Sequence, residues 1–304
     1  MYTVAGFLWS TLSAPEATLR WQACHAVRAA ASFEQATVVD ELISLIDSRS
    51  GAAFADAKFP FYHLHAQLYL LIAFLRIAIE SPELLRKHAD VFVRIAIDKS
   101  HVLIRHFAQR TALRLQESNN SLLSKDTLEQ LLTVNKSPLN REEEKNKHHP
   151  QPHEEKNVDT ETEKFFFGID FPSYWFSNVA CCFNTDVPSI EARAQQIIRN
   201  DWNFSHNGQW DKDPRHTIYF DRETNHSHGT YPMTDSLNFY LSYHAMMIVA
   251  GELLATHPVV EDTWDPTNDK FESWLGKHVL TRSDGCWLAD RRDPKPISLC
   301  GWKP

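Results

Sequence analysis

Glycine and cysteine are scarce in this chain of 304 residues, and their scarcity limits the folds that it can adopt. Nine glycines are too few for a fold rich in tight hairpins or in loops that cradle phosphate by close backbone approach. The five cysteines are odd in number, two are adjacent, and no Cys-x-x-Cys occurs. Because this pattern matches neither a disulfide framework nor a zinc ribbon, we expect reduced, mostly buried thiols.

The short motifs of common nucleotide-binding and hydrolytic folds are also missing. No GxxxxGK[ST], GxGxxG, GxSxG or HExxH occurs, which argues against a P-loop, a Rossmann dinucleotide site, an α/β-hydrolase and a zincin. The most apolar stretch, 68–75, is followed by Arg76 and is too short to span a bilayer. The first residues carry no charged segment ahead of an apolar one, so we expect no signal peptide, no membrane partner and a cytoplasmic location.

Apolar residues recur at helical spacing through residues 1–135, which predicts a mainly α fold. The stripes run over 19–30, 38–46, 64–79, 84–95 and 103–115, and a short last helix is expected over 125–134. Ser100 suits the N-cap of the fifth stripe. Since such helices cannot each bury one face alone, we expect them to stack in pairs.

Two segments of this region resemble each other. Residues 19–27, Leu-Arg-Trp-Gln-Ala-Cys-His-Ala-Val, align with residues 104–112, Ile-Arg-His-Phe-Ala-Gln-Arg-Thr-Ala. The offset, 104 minus 19, is 85 residues, close to two periods of roughly 40–47 residues, the spacing of helical solenoid repeats. The pattern therefore predicts an α-solenoid-like N-terminal domain, which favours a surface for partners over a pocket for chemistry.

The composition changes after residue 135. Residues 136–163 are charged and polar, which predicts a disordered linker. Residues 164–304 are rich in aromatic side chains and predict a second, mostly helical domain with long irregular loops. Helices are expected over 189–202, over 237–257 with Asp235 or Ser236 as the cap, and over 271–279. Trp287 begins a short apolar anchor in a tail of loop character.

The polar stretch 203–231 holds the residues best suited to chemistry. The candidate ligands of a divalent metal are three histidines and one aspartate: His226, His228, His244 and Asp213. Imidazole and carboxylate groups ligate zinc, manganese or iron, and an open three-ligand site can activate water for hydrolysis. Asp211 or Asp221 could take the place of the aspartate. In the structural alternative, these side chains satisfy the backbone of an irregular loop through hydrogen bonds.

Arginines supply a second candidate surface. The candidate partner-binding residues lie on the repeat helices and in the tail: Arg20, Arg105, Arg291 and Arg292. Adjacent arginines can grip a carboxylate or phosphate in bidentate fashion, whereas in the alternative each pairs with a nearby carboxylate. The net charge of −8 gives no reason for tight nucleic-acid binding by the whole surface. A local strip of arginines could still bind nucleic acid, so a nucleic-acid sensor lined by arginine is a third hypothesis.

The paired segments around Leu19 and Ile104 resemble HEAT/armadillo-type helical repeats, and the resemblance covers roughly residues 1–135. Residues 20–28 and the tail 287–294, Trp-Leu-Ala-Asp-Arg-Arg-Asp-Pro, resemble the helical-repeat portion of large bacterial proteins that carry a STAND-type NTPase module. Several of those proteins act in defence against phage. In that family the repeats sense or hold a partner, so the resemblance implies a fragment or a component of such a system, with no catalytic residue to carry over.

Together these observations predict a noncatalytic protein-recognition or scaffold protein that binds a protein partner and needs no cofactor. The competing hypothesis is a metal-dependent hydrolase or nuclease that uses the His/Asp-rich loop.

Overall fold

The computed structural model describes residues 2–56, 58–144, 165–168, 170–204, 229–263, 265 and 267–287. This part of the chain is mainly helical and contains no β-strand. Its α-helices are α1 (Tyr2–Leu12), α2 (Ala17–Ser32), α3 (Ala36–Leu45), α4 (His63–Glu80), α5 (Ala89–Asp98), α6 (Val102–Ser118), α7 (Lys125–Thr133), α8 (Ser177–Cys182), α9 (Val187–Gln196), α10 (Leu237–Thr256) and α11 (Lys270–His278). Two π-helical turns, Pro172–Phe176 and Ile197–Asp201, precede α8 and follow α9.

Helices α2, α4 and α6 form a row in which neighbours pack side by side. Helices α2 and α4 run in the same direction: the Cys24 thiol donates to the Tyr69 carbonyl oxygen at 3.3 Å, and further along Arg28 pairs with Glu80 at 2.7 Å. Helix α2 begins at residue 17 and helix α6 at residue 102, an offset of 85 residues. The two segments that align in sequence thus lie on opposite sides of α4.

A second layer of helices, α1, α3 and α5, backs this row. Helix α1 packs on α2, α3 and α4, while α5 packs on α6. Ion pairs link the α3 region to the α5 region: Asp40 of α3 contacts Lys87 at 2.6 Å and His88 at 2.7 Å, just before α5, and Asp47, just after α3, contacts Arg94 of α5 at 2.6 Å. The chain therefore alternates between two layers as it proceeds from α1 to α6.

Helix α4 is the centre of this half. Every residue from Leu64 to Ala78 is buried, including the polar side chains of His65 and Gln67. A helix that is buried all round lies inside a core rather than at its surface. The apolar run 68–75, which is too short to span a membrane, lies within this central helix.

Helix α10 lies across the N-terminal ends of the row. The contacts, in order along the chain, are Asp235, just before α10, with Pro15 before α2, then Tyr240 of α10 with Leu64 in α4, and His244 with His101 before α6. Because one helix touches three helix ends, buried side chains from before and after residue 135 join in one hydrophobic cluster. The predicted division into domains at that residue, and the solenoid character of the first, stay predictions.

Two helix caps test the sequence-based expectations. Ser236 caps α10, as expected, because its hydroxyl accepts the Phe239 N–H at 3.0 Å. The cap of α6 is His101 rather than Ser100: its Nδ1 atom accepts the Ile104 N–H at 3.3 Å. Helices α1 and α8 are additions that the apolar stripes did not predict.

Residues 136–144 correct one part of the predicted linker. The Glu142 N–H donates to the Val259 carbonyl oxygen at 2.9 Å, and the Glu261 N–H donates to the Glu142 carbonyl oxygen at 2.9 Å. Arg141 also pairs with Asp269 at 3.3 Å. These contacts hold this stretch against the helices that follow it, so it is not a disordered tether. Residues 145–163 lie outside the described residues.

Candidate functional site

A line of buried polar side chains runs along the junction between α10 and the row of helices. The Nε2 atom of His101 lies 2.8 Å from Nδ1 of His244, and Nε2 of His244 lies 3.0 Å from Nδ1 of His65. Nε2 of His65 lies 2.6 Å from Oδ2 of Asp235, which also contacts Arg20 at 3.1 Å. Five residues from α2, α4, α10 and the approaches to α6 and α10 therefore form one connected chain, which we call the imidazole relay.

The hydrogen bonds of the relay fix which ring nitrogen of each histidine carries the hydrogen. The Ile104 N–H donates to Nδ1 of His101, so this nitrogen is unprotonated and the ring carries its hydrogen on Nε2. That hydrogen points to Nδ1 of His244, which must then carry its own on Nε2, and the same reasoning applies to His65. Each neutral ring thus carries its hydrogen on Nε2. The first two rings donate to the next ring, whereas Nε2 of His65 lies 2.6 Å from the Asp235 carboxylate without the alignment of a hydrogen bond.

Burial keeps the three rings neutral. His244 is fully buried, and His65 and His101 are each 3% exposed. Burial, with the nearby Arg20 charge, lowers the pKa of His65 to about 4, and burial lowers the pKa of His101 to about 3. Burial and the neighbouring imidazoles hold the pKa of His244 well below its usual value. A neutral ring can donate from one nitrogen and accept at the other, as the relay requires.

The Asp235 end carries the charges. Burial opposes ionisation of this carboxyl, but the Arg20 guanidinium and His65 outweigh it and hold the pKa of Asp235 below its usual range. Arg20 also donates to the carbonyl oxygens of Ala14 at 2.8 Å and Pro15 at 2.6 Å, and its guanidinium lies 4.9 Å from the Tyr69 ring centroid. The pair is therefore desolvated but held by several contacts, which a buried ion pair needs to be stable.

The relay exposes no group to a substrate in the described part of the chain. His101 borders a cavity of about 290 Å³ beside His63 and Gln67, but both of its ring nitrogens already have partners. Arg20, His65 and Asp235 are each at most 3% exposed, so a substrate cannot reach them. The arrangement can hold α10 on the row of helices.

The predicted metal ligands are not brought together in the described part of the chain. His244 lies in the relay, where both nitrogens contact imidazoles, so a metal ion could bind it only if those contacts broke. His226, His228 and Asp213 lie outside the described residues. Among the residues that are described, no group of three or more His, Cys, Asp or Glu side chains is placed to hold a metal ion.

The predicted partner-binding arginines have intramolecular roles where they are described. Arg20 is 3% exposed, so the expectation that it contacts a partner conflicts with its burial. Arg105 is half-buried and donates from Nε to Asn135 Oδ1, while the Asn135 amide donates to the Val102 carbonyl oxygen at 3.0 Å. Arg105 therefore braces α6 against the end of α7. Arg291 and Arg292 lie outside the described residues.

Away from the relay, the row of helices carries a different feature, a short hairpin formed by residues 281–287. Thr281 and Trp287 pair across it, and Gly285 sits at its turn with φ +85°, a conformation that favours glycine. Arg110 of α6 donates to the Ser283 carbonyl oxygen. Gly285 lies against α4, and Trp287 lies against α2. The hairpin thus crosses all three helices of the row.

Trp287 fills an aromatic slot on α2. Its ring centroid is 5.7 Å from that of Trp21 and 4.7 Å from that of His25, both edge to face, and the Arg28 guanidinium lies 5.6 Å from it. The side chain is 1% exposed. This burial agrees with the anchoring role expected for Trp287. Edge-to-face rings and a cation over a ring are the contacts by which proteins hold tryptophan most firmly.

A groove continues from the slot along α2 and α4. It has a volume of about 670 Å³ and is lined by His25, Arg28 and Ser32 of α2 and by Ile77 and Glu80 of α4. His25 and Arg28 belong to both the slot and the groove, so the two are adjacent.

Comparisons with known proteins do not assign this chain to a family. Neither a protein-family model nor a curated protein matches this chain. None of the helices in the described ranges combines the length and the apolar content needed to cross a bilayer.

The sequence reasoning did not foresee the relay as a unit and missed two of its five residues. It placed Asp235 near the start of α10 and singled out His244, but it did not select His65 or His101. A usable signal was present, because His63 and His65 form a second His-x-His beside the one at 226–228. Nothing in the spacing indicates that residue 101 meets residue 244.

Proposed function

We propose that this protein is a noncatalytic recognition or scaffold protein that binds a protein partner on the face of the α2–α4–α6 row. The observation that carries the proposal is the hairpin 281–287, because it shows that this face accommodates a short stretch of chain across all three helices. Helical-repeat proteins use such faces to bind partners.

The alternation of two helical layers supports a HEAT-like arrangement for residues 1–135. In agreement with the resemblance to the repeat portions of STAND-type NTPases, we further propose that the chain acts in the cytoplasm as a sensor component of a bacterial defence system. A protein partner is favoured over nucleic acid, since arginines of the row are engaged within the chain: Arg28 with Glu80, Arg114 with Glu117 and Arg110 with Ser283.

The competing enzyme hypothesis has no support from the described residues. Its remaining candidate ligands are His226, His228 and Asp213, and its fourth, His244, is engaged by two imidazoles. Metal analysis of the purified protein, beside a variant with both His226→Ala and His228→Ala, tests it. Bound metal that is lost in the variant would favour the hydrolase.

Site-specific photocrosslinking tests the recognition face. A benzoylphenylalanine at position 32 lies in the groove, whereas one at position 44 lies on α3 in the other layer. The two positions are matched: both serines are exposed, and each hydroxyl donates to the carbonyl oxygen three residues earlier, at 2.8 Å and 2.7 Å. In the cells that make the protein, we expect position 32 to give a discrete protein adduct and position 44 to give none.

Adducts of equal yield at both positions, or none at position 32, would contradict the recognition face. An adduct at position 32 that nuclease removes would instead favour the nucleic-acid sensor.

A further inference from the structure

The site on the row of helices is longer than the hairpin that occupies it. The hairpin ends, within the described residues, at Trp287 in its slot, and the groove of about 670 Å³ extends beyond along α2 and α4. His25 and Arg28 contact the tryptophan on one side and border the groove on the other. A chain segment that placed an aromatic side chain in the slot could therefore continue into the groove.

The chemistry of the slot selects tryptophan. Trp21 and His25 pack edge to face with the indole of the occupant, and Arg28 places its charge over that indole. Tryptophan and arginine are enriched among the few residues that dominate the binding energy of protein interfaces. A buried aromatic anchor beside an open groove is thus the arrangement of an interface hot spot.

Outside its tryptophan, the hairpin contacts the row of helices largely through its backbone, as far as the described residues show. Apart from Trp287, its side of the interface offers backbone carbonyl oxygens, at Ser283 to Arg110 and at Asp284 to Arg114. Ser283 is exposed, and Gly285 adds no side chain. Two-stranded hairpins are marginally stable by themselves, so this one depends on its contacts with the row of helices to stay closed.

We propose that the hairpin 281–287 is a resident competitor, and that the slot and groove take a tryptophan-bearing loop of the protein partner. The inference rests on the proposed function and names the partner's chemistry and its regulation. A tethered segment has an effective concentration in the millimolar range, so the partner must outbind it to open the site. A partner binds only by preferring the opened state, and the groove offers contacts beyond those that residues 281–287 make.

The test uses the full chain and a fluorescent, backbone-cyclised peptide with the sequence of residues 280–288. Its anisotropy is measured against the wild type, Trp287→Ala and a control, Gly276→Ala, whose glycine lies on α11 with no atom within 4 Å of an added Cβ. A second peptide carries Ala in place of the tryptophan. We expect Trp287→Ala to bind the tryptophan peptide at least tenfold more tightly than the wild type or the control, and to ignore the second peptide.

Gly285→Val is the second variant, in case Trp287→Ala does not fold. An added Cβ would lie 2.8 Å from Ile79 and 3.3 Å from Leu75, so the substitution pushes the turn away from α4. The Gly285→Val variant keeps the slot intact and should also bind the peptide more tightly than the wild type. Equal binding by all chains, or no binding by a variant whose circular dichroism is native, would overturn the resident competitor.

The crosslinking experiment separates this failure from failure of the proposed function. If position 32 captures a partner while the peptide does not bind, the face is a recognition site but the hairpin is not its competitor. An intramolecular adduct between position 32 and residues 288–304 would show that the chain fills its own groove, which overturns the inference.

Discussion

Gly251 of α10 lies directly against the backbone of Ser100, which precedes α6. A Cβ atom on Gly251 would stand 1.8 Å from the Ser100 carbonyl oxygen, a distance that no side chain can adopt. This close approach brings α10 onto the end of α6, where His244 meets His101. The glycine thus permits the relay to form.

We predict that Gly251→Ala destabilises the protein by about 3 kcal/mol, because the backbone of Ser100 must shift to admit the methyl group. The matched control is Gly276→Ala in α11, where an added Cβ meets nothing. There alanine should raise stability by up to about 1 kcal/mol through helix propensity. Urea unfolding followed by circular dichroism measures both, and equal effects of the two substitutions would contradict the packing argument.

The ion pair at the end of the relay predicts strong non-additivity. Asp235→Ala leaves the Arg20 charge buried without its carboxylate and should cost about 3–5 kcal/mol. The double variant Arg20→Met and Asp235→Ala removes both charges and should lose less than Asp235→Ala alone. A double-mutant cycle in urea measures the coupling. If the two single effects simply add, the pair does not act as a unit.

The proton order of the relay is observable by NMR. At pH 7 we expect the 15N shifts of His65, His101 and His244 to show a protonated Nε2 and an unprotonated Nδ1, since the Ile104 N–H sets the first ring. Single His→Gln variants assign the signals. A protonated Nδ1 at any of the three positions would show that the order is broken.

As the pH falls, the protein should lose stability at pH values above those at which its carboxylates titrate. The relay histidines stay neutral in the folded chain, since burial lowers the pKa of His65 to about 4 and of His101 to about 3, whereas the unfolded chain binds protons near pH 6.5. Their contribution is therefore complete above pH 6.5 and is lost as the pH falls toward about 4.

Partial or full burial also lowers the pKa of three other histidines: the half-buried His63 and His106 and the buried His278. Urea midpoints measured from pH 7.5 to 4.5 check this prediction. A midpoint that stays constant over this range would contradict it. The carboxylates with lowered pKa values, among them Asp235 and Glu80, act below that range and do not explain a loss above pH 4.5.

Local sequence pattern predicts the helices well but predicts their ends less well. The stripes over 64–79 and 103–115 correspond to α4 and α6, and Ser236 caps α10 as expected. His101 replaces Ser100 as the cap of α6 because a ring nitrogen can accept the same N–H that a hydroxyl would. The polar composition of residues 136–144 predicts disorder, but contacts with Val259 and Asp269 hold them in place.

The sequence by itself determined that the chain is mainly helical, because apolar residues recur at the helical period and glycine is scarce. It also predicted two similar helical segments 85 residues apart, and α2 and α6 begin 85 residues apart, while their relation as repeats stays a prediction. Only the tertiary structure decided which polar side chains meet. His65, His101 and His244 are far apart in the chain, and packing of α10 across the ends of the row, rather than any local spacing, brings their rings together.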